Sequence, residues 1–498
     1  MSHGDSSRAA RRLPEMGWMV AMMLAVLFAI GPMVEAVKLN SLQSLEIWGQ
    51  LRAGGWVLEN HRIPRTALFS QSERLPWRDF SWGFDVIAAT TYKIAGLRAV
   101  PALAMGFRVG LAVVLFLLAG ARRGDLWGAG LLTLVGLYTL AGPGPASTAA
   151  SVVLFGVEVL ILLEWRRSPS TFRAAVALLV LFLVWANLDI GFVYGIALLA
   201  IYVASLFAQP IAGGPADEIA KKSMARTAAV VLLSCVIVSG VTPYGYASYP
   251  AFWEMETSAA NASIPGYAAM GFRQPLDYIV LLLAMSAFLA MGLRRSRDIF
   301  LVALLSGSAM LSFHSQREGW LIVVSAVAVV GCMLTEPQGS HNVQNAELWE
   351  RRLFLAAGSS LALVILVFLL AIPRDPKVLL ARIGKTLPVK ACDFIRSADL
   401  AHPLFNAYGW GSFVSWYLPE YPVAIDSRRG LYSEEMEDSY FKVMKADVPY
   451  QSLPAMRDAK TLLLEKSNVM AQALKSVQGF HVAYEDDVAI LLSQGGKP

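Results

Sequence analysis

Between Glu46 and Trp82 the chain reads EIWGQLRAGGWVLENHRIPRTALFSQSERLPWRDFSW. An acid, Glu46, stands here with Arg52, Arg62, Arg65, Arg74 and Arg78 and with Trp48, Trp56, Trp77 and Trp82. A carboxylate beside arginines at the depth of lipid headgroups can take a proton from an acceptor hydroxyl. It can equally be solvated, or paired with Arg52 or Arg65. Arginine grips phosphate oxygens through two parallel N–H bonds. Arg52, Arg62 and Arg65, and far downstream Arg273 and Arg317, therefore suit a lipid phosphate. Headgroup contact, or an ion pair with Glu254, Glu256 or Glu318, is the plainer reading of each. Asp189, in WANLDIGF, sits between two apolar runs, where it either lines a cavity or caps the next helix. Asp426 and Arg428, in AIDSRRGLY (424–432), follow an expected strand, where α/β sheets present functional side chains; alternatively they pair and hold a loop. NAYGWGSF (406–413) stands out beside them. His314 lies near Arg317, but no second histidine is placed to complete a metal site. P-loop, GxSxG and GxGxxG elements are absent from the sequence.

The elements that must position these groups are membrane spans. Of 498 residues 56% are hydrophobic and 16% charged, with mean hydropathy +0.51. A soluble chain carries about 25% charged residues, so the composition excludes an ordinary soluble enzyme. The net charge of +5 gives no argument for nucleic acid, because the basic residues flank hydrophobic runs, where orientation explains them. Three cysteines, Cys235, Cys332 and Cys392, supply neither a disulfide framework nor a metal site. The first span follows SSRAARR without a small-residue cleavage pattern and reads as a retained start-transfer helix. About eleven runs approach the ~20 apolar residues that a span needs. They lie near 16–34, 101–120, 126–142, 146–165, 172–188, 190–208, 226–243, 276–293, 297–313, 318–334 and 352–373.

Charge orients them. With Arg8, Arg11 and Arg12 cytoplasmic, the inside loops hold Arg122 and Arg123; Arg166, Arg167 and Arg173; Lys221, Lys222 and Arg226; Arg294, Arg295 and Arg297; and Arg351 and Arg352. The short outside loops hold Arg273 and Arg317. This asymmetry puts the 35–100 loop, the 244–275 loop and the C-terminal part outside the cytoplasm. Residues 1–373 thus form a transmembrane domain and 374–498 an extracytoplasmic one.

Within the first outer loop, 41–57 reads as a helix with Leu45, Trp48, Leu51 and Gly55 on one face and Gln43, Glu46 and Gln50 as a polar strip. IPRT (63–66) is extended, since the residue before a proline avoids the helical region. Residues 82–98 read as an amphipathic helix on the outer membrane surface, with Asp85, Lys93 and Arg98 on its polar side. GPGP (142–145) is a tight turn. After Pro373, PLFNAY, YPVAID, KTLLLE, FHVAYED and VAILLS read as strands and 387–398, 432–445 and 468–478 as helices, giving a small α/β domain.

Taken together these stretches resemble a bacterial family of multi-spanning proteins related to GT-C glycosyltransferases, which pair a polytopic membrane domain with a C-terminal extracytoplasmic α/β domain. The family pattern runs approximately D-x-x-W-W-H-L-x-x-G-x-W-I-L, then P-R-x-D-x-F-S, then P-W-x-x-H-E-W-L. Here the matching stretches are EIWGQLRAGGWVL, PRTALFS and PWRDFSWG. Later, WANLDIGF stands against W-A-N-L-H-G-G-F and TPYGY against N-P-Y-G, followed by NAYGWGSF and IDSRRGLY. Trp48, Gly54, Trp56, Pro64, Arg65, Ser70, Trp77, Trp82, Asn187, Asp426, Arg428 and Tyr432 match. The leading acid becomes Glu46, the histidine Gln50, the next acid Ala67, the His-Glu pair Phe80 and Ser81, and the later histidine Asp189.

The resemblance implies a transferase moving a sugar from a polyprenyl-phosphate carrier to a glycan, lipid or protein acceptor in a bacterial inner membrane, by inverting displacement. Glu46 would be the base. Arg65, Arg317 and Arg52 would hold the donor phosphate, and Asn187 and Asp189 would line the cavity. The outer domain, with Asp426, Arg428 and Tyr432, would position the acceptor. No cofactor is expected, and the scattered acids give no support for a divalent metal. The alternative is a catalytically inactive binding or assembly subunit of a surface polysaccharide system, which the departures at Ala67, Phe80 and Ser81 favour. A transporter ranks last, because charges lie at span ends rather than at the bilayer midplane.

Overall fold

The computed structural model describes residues 26–120, 126–140, 146–167, 171–208, 215–264, 266–334, 358–360, 362–368 and 370–495. Arg8, Arg11, Arg12, Arg122, Arg123, Arg351 and Arg352, the Lys221 side chain, the start of the first apolar run and the whole of GPGP lie outside the described residues. A helix stands on each expected run. These are α1 (26–38), α4 (Ala99–Leu118), α5 (Leu126–Thr139), α6 (Ser147–Trp165), α7 (Thr171–Leu188), α8 (Phe192–Ala208), α9 (Pro215–Ser239), α11 (Pro275–Leu293), α12 (Ile299–His314), α13 (Gly319–Leu334) and α14 (362–368). Between them lie α2 (Ile47–Asn60), α3 (Trp82–Ala95) and α10 (Ser248–Thr257). Six helical stretches among the described residues are long and apolar enough to cross a membrane, and four further apolar helices are shorter. The chain is a multi-pass membrane protein.

The bundle is built around α13, which packs on α4, α5, α6, α11 and α12. Every residue from Leu321 to Val329 is buried. A helix that is apolar all round belongs inside such a bundle.

The first outer loop departs from its expected form in two ways. The helix does not run unbroken from 41 to 57: Asn40–Gln43 is a separate 3-10 turn, Ser44 is extended, and α2 begins at Ile47. Gln43 and Glu46 therefore do not share a strip, and Leu45 is exposed while Trp48 and Leu51 are buried. The second departure is α3, which is no surface-lying helix. It continues into α4 as one apolar stretch, Trp82–Leu118, and packs on α2 and α7. Asp85 faces inward and is 2% exposed. Of the polar side read from the 3.6 period, Asp85 looks onto an internal chamber, while Lys93, two turns on, is exposed.

Small residues permit this packing. A Cβ on Gly54 would lie 1.9 Å from the Asp85 carbonyl oxygen, and one on Gly83 would lie 2.5 Å from the Asn187 carbonyl oxygen. Thus α3 is wedged between α2 and the end of α7.

Beyond the last span, α15 (Pro376–Ile383) and α16 (Val389–Ala398) lead into a four-stranded sheet of order β1 (Leu404–Asn406), β2 (Thr461–Glu465), β4 (Ala489–Gln494), β3 (Phe480–Glu485). The β1–β2 pair is parallel and the others antiparallel. YPVAID is not a strand of this sheet. Val423 instead exchanges backbone hydrogen bonds with the first outer loop, accepting from Gln71 N (2.9 Å) and donating to Phe69 O (2.9 Å). The segment α17 (Gly411–Tyr417) packs on α2, with Trp48 against Phe413 and Trp416 at 5.5 and 4.6 Å between ring centres. Two of the three hydrophobic clusters draw residues from both sides of residue 373.

Gly54→Ala is expected to destabilise the chain severely, because the added methyl meets backbone rather than a side chain that can turn away. Gly55→Ala, where nothing lies within 4 Å, is expected to leave stability unchanged or raise it by up to ~1 kcal/mol. Melting curves of the detergent-extracted variants check both; similar curves for the two would refute the packing argument.

Candidate functional site

Glu46 precedes the first turn of α2, and Arg317 lies in the 3-10 turn Gln316–Glu318 that joins α12 to α13. They are 271 positions apart in the chain, yet the Arg317 guanidinium stands 3.5 Å from Glu46 Oε1, with side-chain exposures of 26% and 39%. Both are thus reachable, and the pair is partly screened by solvent. Arg317 also donates to Thr148 Oγ1 at 3.0 Å, and its backbone N–H donates to Gly266 O at 2.7 Å. Its guanidinium lies 4.8 Å from the Tyr267 ring centre; that of Arg429, from the outer domain, lies 4.3 Å from the same ring. Arg429 is held in turn by Met255 O (2.8 Å) and Asn261 Oδ1 (2.5 Å).

Two cavities meet here. The first, about 170 Å³, reaches between the outer ends of the spans. Asp79, Asp85, Asp189, Glu256, Glu318 and Arg428 line it together with Gln50, Ser81 and Trp320. The second, about 380 Å³, runs along the outer domain past Tyr408, Tyr440, Phe441 and Lys445. Glu46, Tyr267, Arg317, Ser427 and Arg429 border both.

The buried acids of the first cavity are kept in place by short hydrogen bonds. Asp189 accepts from Ser147 Oγ (2.6 Å), Ser151 Oγ (2.5 Å) and the Gly191 N–H (2.9 Å). It lines the cavity and ties the turn before α8, which begins three residues on at Phe192. Asp79 accepts from Ser81 N (3.2 Å) and Ser81 Oγ (3.1 Å), and the same hydroxyl lies 3.2 Å from Asp85 Oδ1. Burial pushes the Asp79 carboxyl above the usual range, against hydrogen bonds from Asp85 and Ser81 that pull it down. Burial likewise raises Glu256, with Arg317 and Arg429 opposing. Tyr244, whose hydroxyl accepts from Asp79 N and donates to Pro64 O, both at 3.0 Å, is pushed up to about 12, chiefly by burial.

Among the residues expected from sequence to act, Glu46, Asp189, Arg317 and Arg428 line the first cavity; Arg52, Arg65, Asn187, Asp426 and Tyr432 line neither. Arg52 lies over the Phe69 ring at 4.6 Å, and Arg65 is exposed. Asn187 accepts from Trp82 Nε1 (3.1 Å) and donates to Leu183 O and Val241 O, holding α3 and α7 to the turn after α9. Arg428 grips Asp426 through Nε and a terminal nitrogen (2.9 and 2.7 Å) and donates to Leu68 O (2.8 Å) while stacking on Trp77. These contacts tie the segment after Asp426 to the first loop. Tyr432 Oη stands 3.5 Å from Ser70 Oγ in the same interface.

Asp79, Asp85, Glu256, Glu318, Tyr267 and Arg429 belong to the site and were not singled out from sequence. A usable signal lay in Asp79, directly before the positions where the family pattern places its His-Glu pair, and in Asp85, one helical turn after them. Four departures from that pattern, Gln50, Phe80, Ser81 and Asp189, all line the first cavity. The fifth, Ala67, is buried in the loop–domain core. Among the described residues, no group of three or more His, Cys, Asp and Glu side chains is placed to hold a metal ion.

No family model matches the chain, and no curated protein matches it. Solved structures do. The Archaeoglobus fulgidus oligosaccharyltransferase tethered to an acceptor peptide with the NVT sequon aligns over 97% of this chain and 74% of its own, at 11% identity and TM-score 0.52. AglB from Archaeoglobus fulgidus, in complex with an inhibitory peptide and a dolichol-phosphate, aligns over 95% and 74%, at 10% identity and TM-score 0.50. Apo ArnT from Cupriavidus metallidurans aligns over 97% and 98%, at 14% identity and TM-score 0.46. The oligosaccharyltransferase alignments give a likeness of fold alone: this chain is a GT-C-like helical bundle, and it carries a small α/β domain at its C-terminal end.

A carboxyl with a raised folded-state pKa holds its proton more tightly when folded. Its stability contribution is therefore full below the unfolded value, near 3.9, and is lost as pH rises through the elevated one. Asp79→Asn is expected to remove this loss, so that the variant gains on the wild type as pH rises across that interval. Melting temperatures over a pH series check it; parallel curves would mean that Asp79 is not the group titrating.

Proposed function

We propose that the chain is a GT-C glycosyltransferase. It moves a sugar from a polyprenyl-phosphate carrier to an acceptor hydroxyl on the extracytoplasmic face of a bacterial inner membrane, with its N-terminus cytoplasmic. The observation that carries this reading is the Glu46–Arg317 pair at the junction of two open cavities. A structure of the same fold contains a dolichol-phosphate, which supports a lipid-phosphate donor.

In this reading the acceptor oxygen attacks the anomeric carbon of the donor. The bond from that carbon to the phosphate oxygen breaks, its electron pair leaves with the polyprenyl phosphate, and the acceptor proton passes to Glu46. Arg317 meets the charge that develops on the departing phosphate. The resemblance implies inversion at the anomeric carbon. Before the donor arrives, Arg317 is engaged by Glu46. A phosphate competing for that guanidinium frees the carboxylate, so donor binding prepares the base. Arg317 takes precedence over Arg52 and Arg65 as the phosphate ligand, since it borders both cavities and they line neither.

The second reading is an inactive binding or assembly subunit. The spent hydrogen-bonding capacity of Asp189 favours it. The open chamber weighs against it, as does Gln50, whose Oε1 is buried with no hydrogen-bond partner among the described residues.

Glu46→Gln keeps size and hydrogen bonding but cannot accept the proton. In a deletion strain, wild type is expected to restore a surface glycan detected by mass spectrometry, and Glu46→Gln to lower its formation by roughly 100-fold or more at equal protein level. Equal restoration by both would remove Glu46 as base and put the binding subunit ahead.

A further inference from the structure

Six cations stand at the ends of α1 and α3 and just after α14, and none of them lines either cavity. Lys38 ends α1 and Lys93 lies near the end of α3; Arg374, Lys377, Arg382 and Lys385 follow α14. All six are exposed. None of the six is in an ion pair among the described residues. The acid within the last group, Asp375, caps α15 by accepting from the Lys377 N–H at 2.9 Å. Another nearby acid, Glu35, is buried against Arg108.

The fold gathers these residues. Helix α15 buries Leu379 and Ile383 and packs on the turn Asn40–Gln43 after α1 and on the turn Gly96–Arg98 between α3 and α4. Exposed apolar side chains lie beside the cations along the chain: Val37 at 74%, Ile94 at 83%, Leu370 at 76% and Val378 at 44%. Chain length sets the depth. Five residues from the end of the last span at 371 to Pro376 reach at most about 18 Å, and Arg374 is only three residues out. Cations and apolar groups mixed at the border of a span are the composition of a headgroup-level surface. They also lie on the side where the orientation bias disfavours Lys and Arg.

We infer that these cations bind the anionic headgroups of phospholipids in the leaflet around them, with the phosphates between Lys377, Arg382, Lys385 and the cations of α1 and α3. Lipid held there fixes α15, and with it the outer domain whose Ser427, Arg428 and Arg429 roof the first cavity. The inference is independent of the catalytic reading.

The test titrates the purified full chain, in neutral detergent, with dihexanoyl phosphatidylglycerol, dihexanoyl phosphatidylcholine or inorganic phosphate, and follows the melting temperature. Phosphatidylglycerol is expected to raise it, and the other two to leave it unchanged. The variant K377Q/R382Q/K385Q is expected to melt like wild type in phosphatidylcholine and to need about 100-fold more phosphatidylglycerol for the same rise. The variant K442Q/K460Q, altered elsewhere on the outer domain, is expected to respond as wild type. Equal responses to both lipids would overturn the proposal, as would an undiminished response of the triple variant. A response to inorganic phosphate alone would assign the cations to a free anion instead.

Discussion

The bidentate grip of Arg428 on Asp426 is the contact on which the outer half of the molecule depends. Asp426 is 1% and Arg428 12% exposed. A buried pair of this kind adds little net stability, but loss of one partner strands the other at a cost of about 3–5 kcal/mol. Its use lies in where it points. The guanidinium leaves Asp426 to reach Leu68 O and the face of Trp77, both in the first outer loop. Asn406 braces the same segment by donating to Ile425 O (2.7 Å) and accepting from Ala424 N (2.8 Å). Because Arg428 and Arg429 are consecutive, seating one on the loop delivers the other to Tyr267 and the cavity junction.

That arrangement explains how the recurrent motif residues divide. Gly54, Trp77, Asn187, Asp426, Arg428 and Tyr432 join pieces: helix to helix, or loop to domain. Glu46 and the departures Gln50, Phe80, Ser81 and Asp189 face the space between the pieces. Asp189, which stands where the family pattern has a histidine, is satisfied by the hydroxyls of Ser147 and Ser151.

The spans, the C-terminal helices and four of the five strands could be read from the chain because hydropathy, periodicity and turn residues are local properties. YPVAID failed for the same reason. Its alternation is strand-like, but its partner is a loop more than 350 residues away, and nothing local announces that. Glu46 and Arg317 could each be picked out as a charge misplaced for its position; their pairing could not, being a product of how α12 and α13 return past α2. Asp85 is the clearest case of a pattern read correctly and placed wrongly. Its helix does have a polar side, but amphipathicity cannot tell a headgroup layer from a walled chamber.

The loop–domain joint has a consequence for how the molecule comes into being. Leu68 O waits for Arg428, 360 positions later in the chain. At about 5–20 residues per second of synthesis, roughly 20 to 70 seconds separate the emergence of the two. Through that interval the first loop stands without the surface that shapes it. The chamber therefore cannot close until residues 427–429 have been made, some 55 positions after the last span ends.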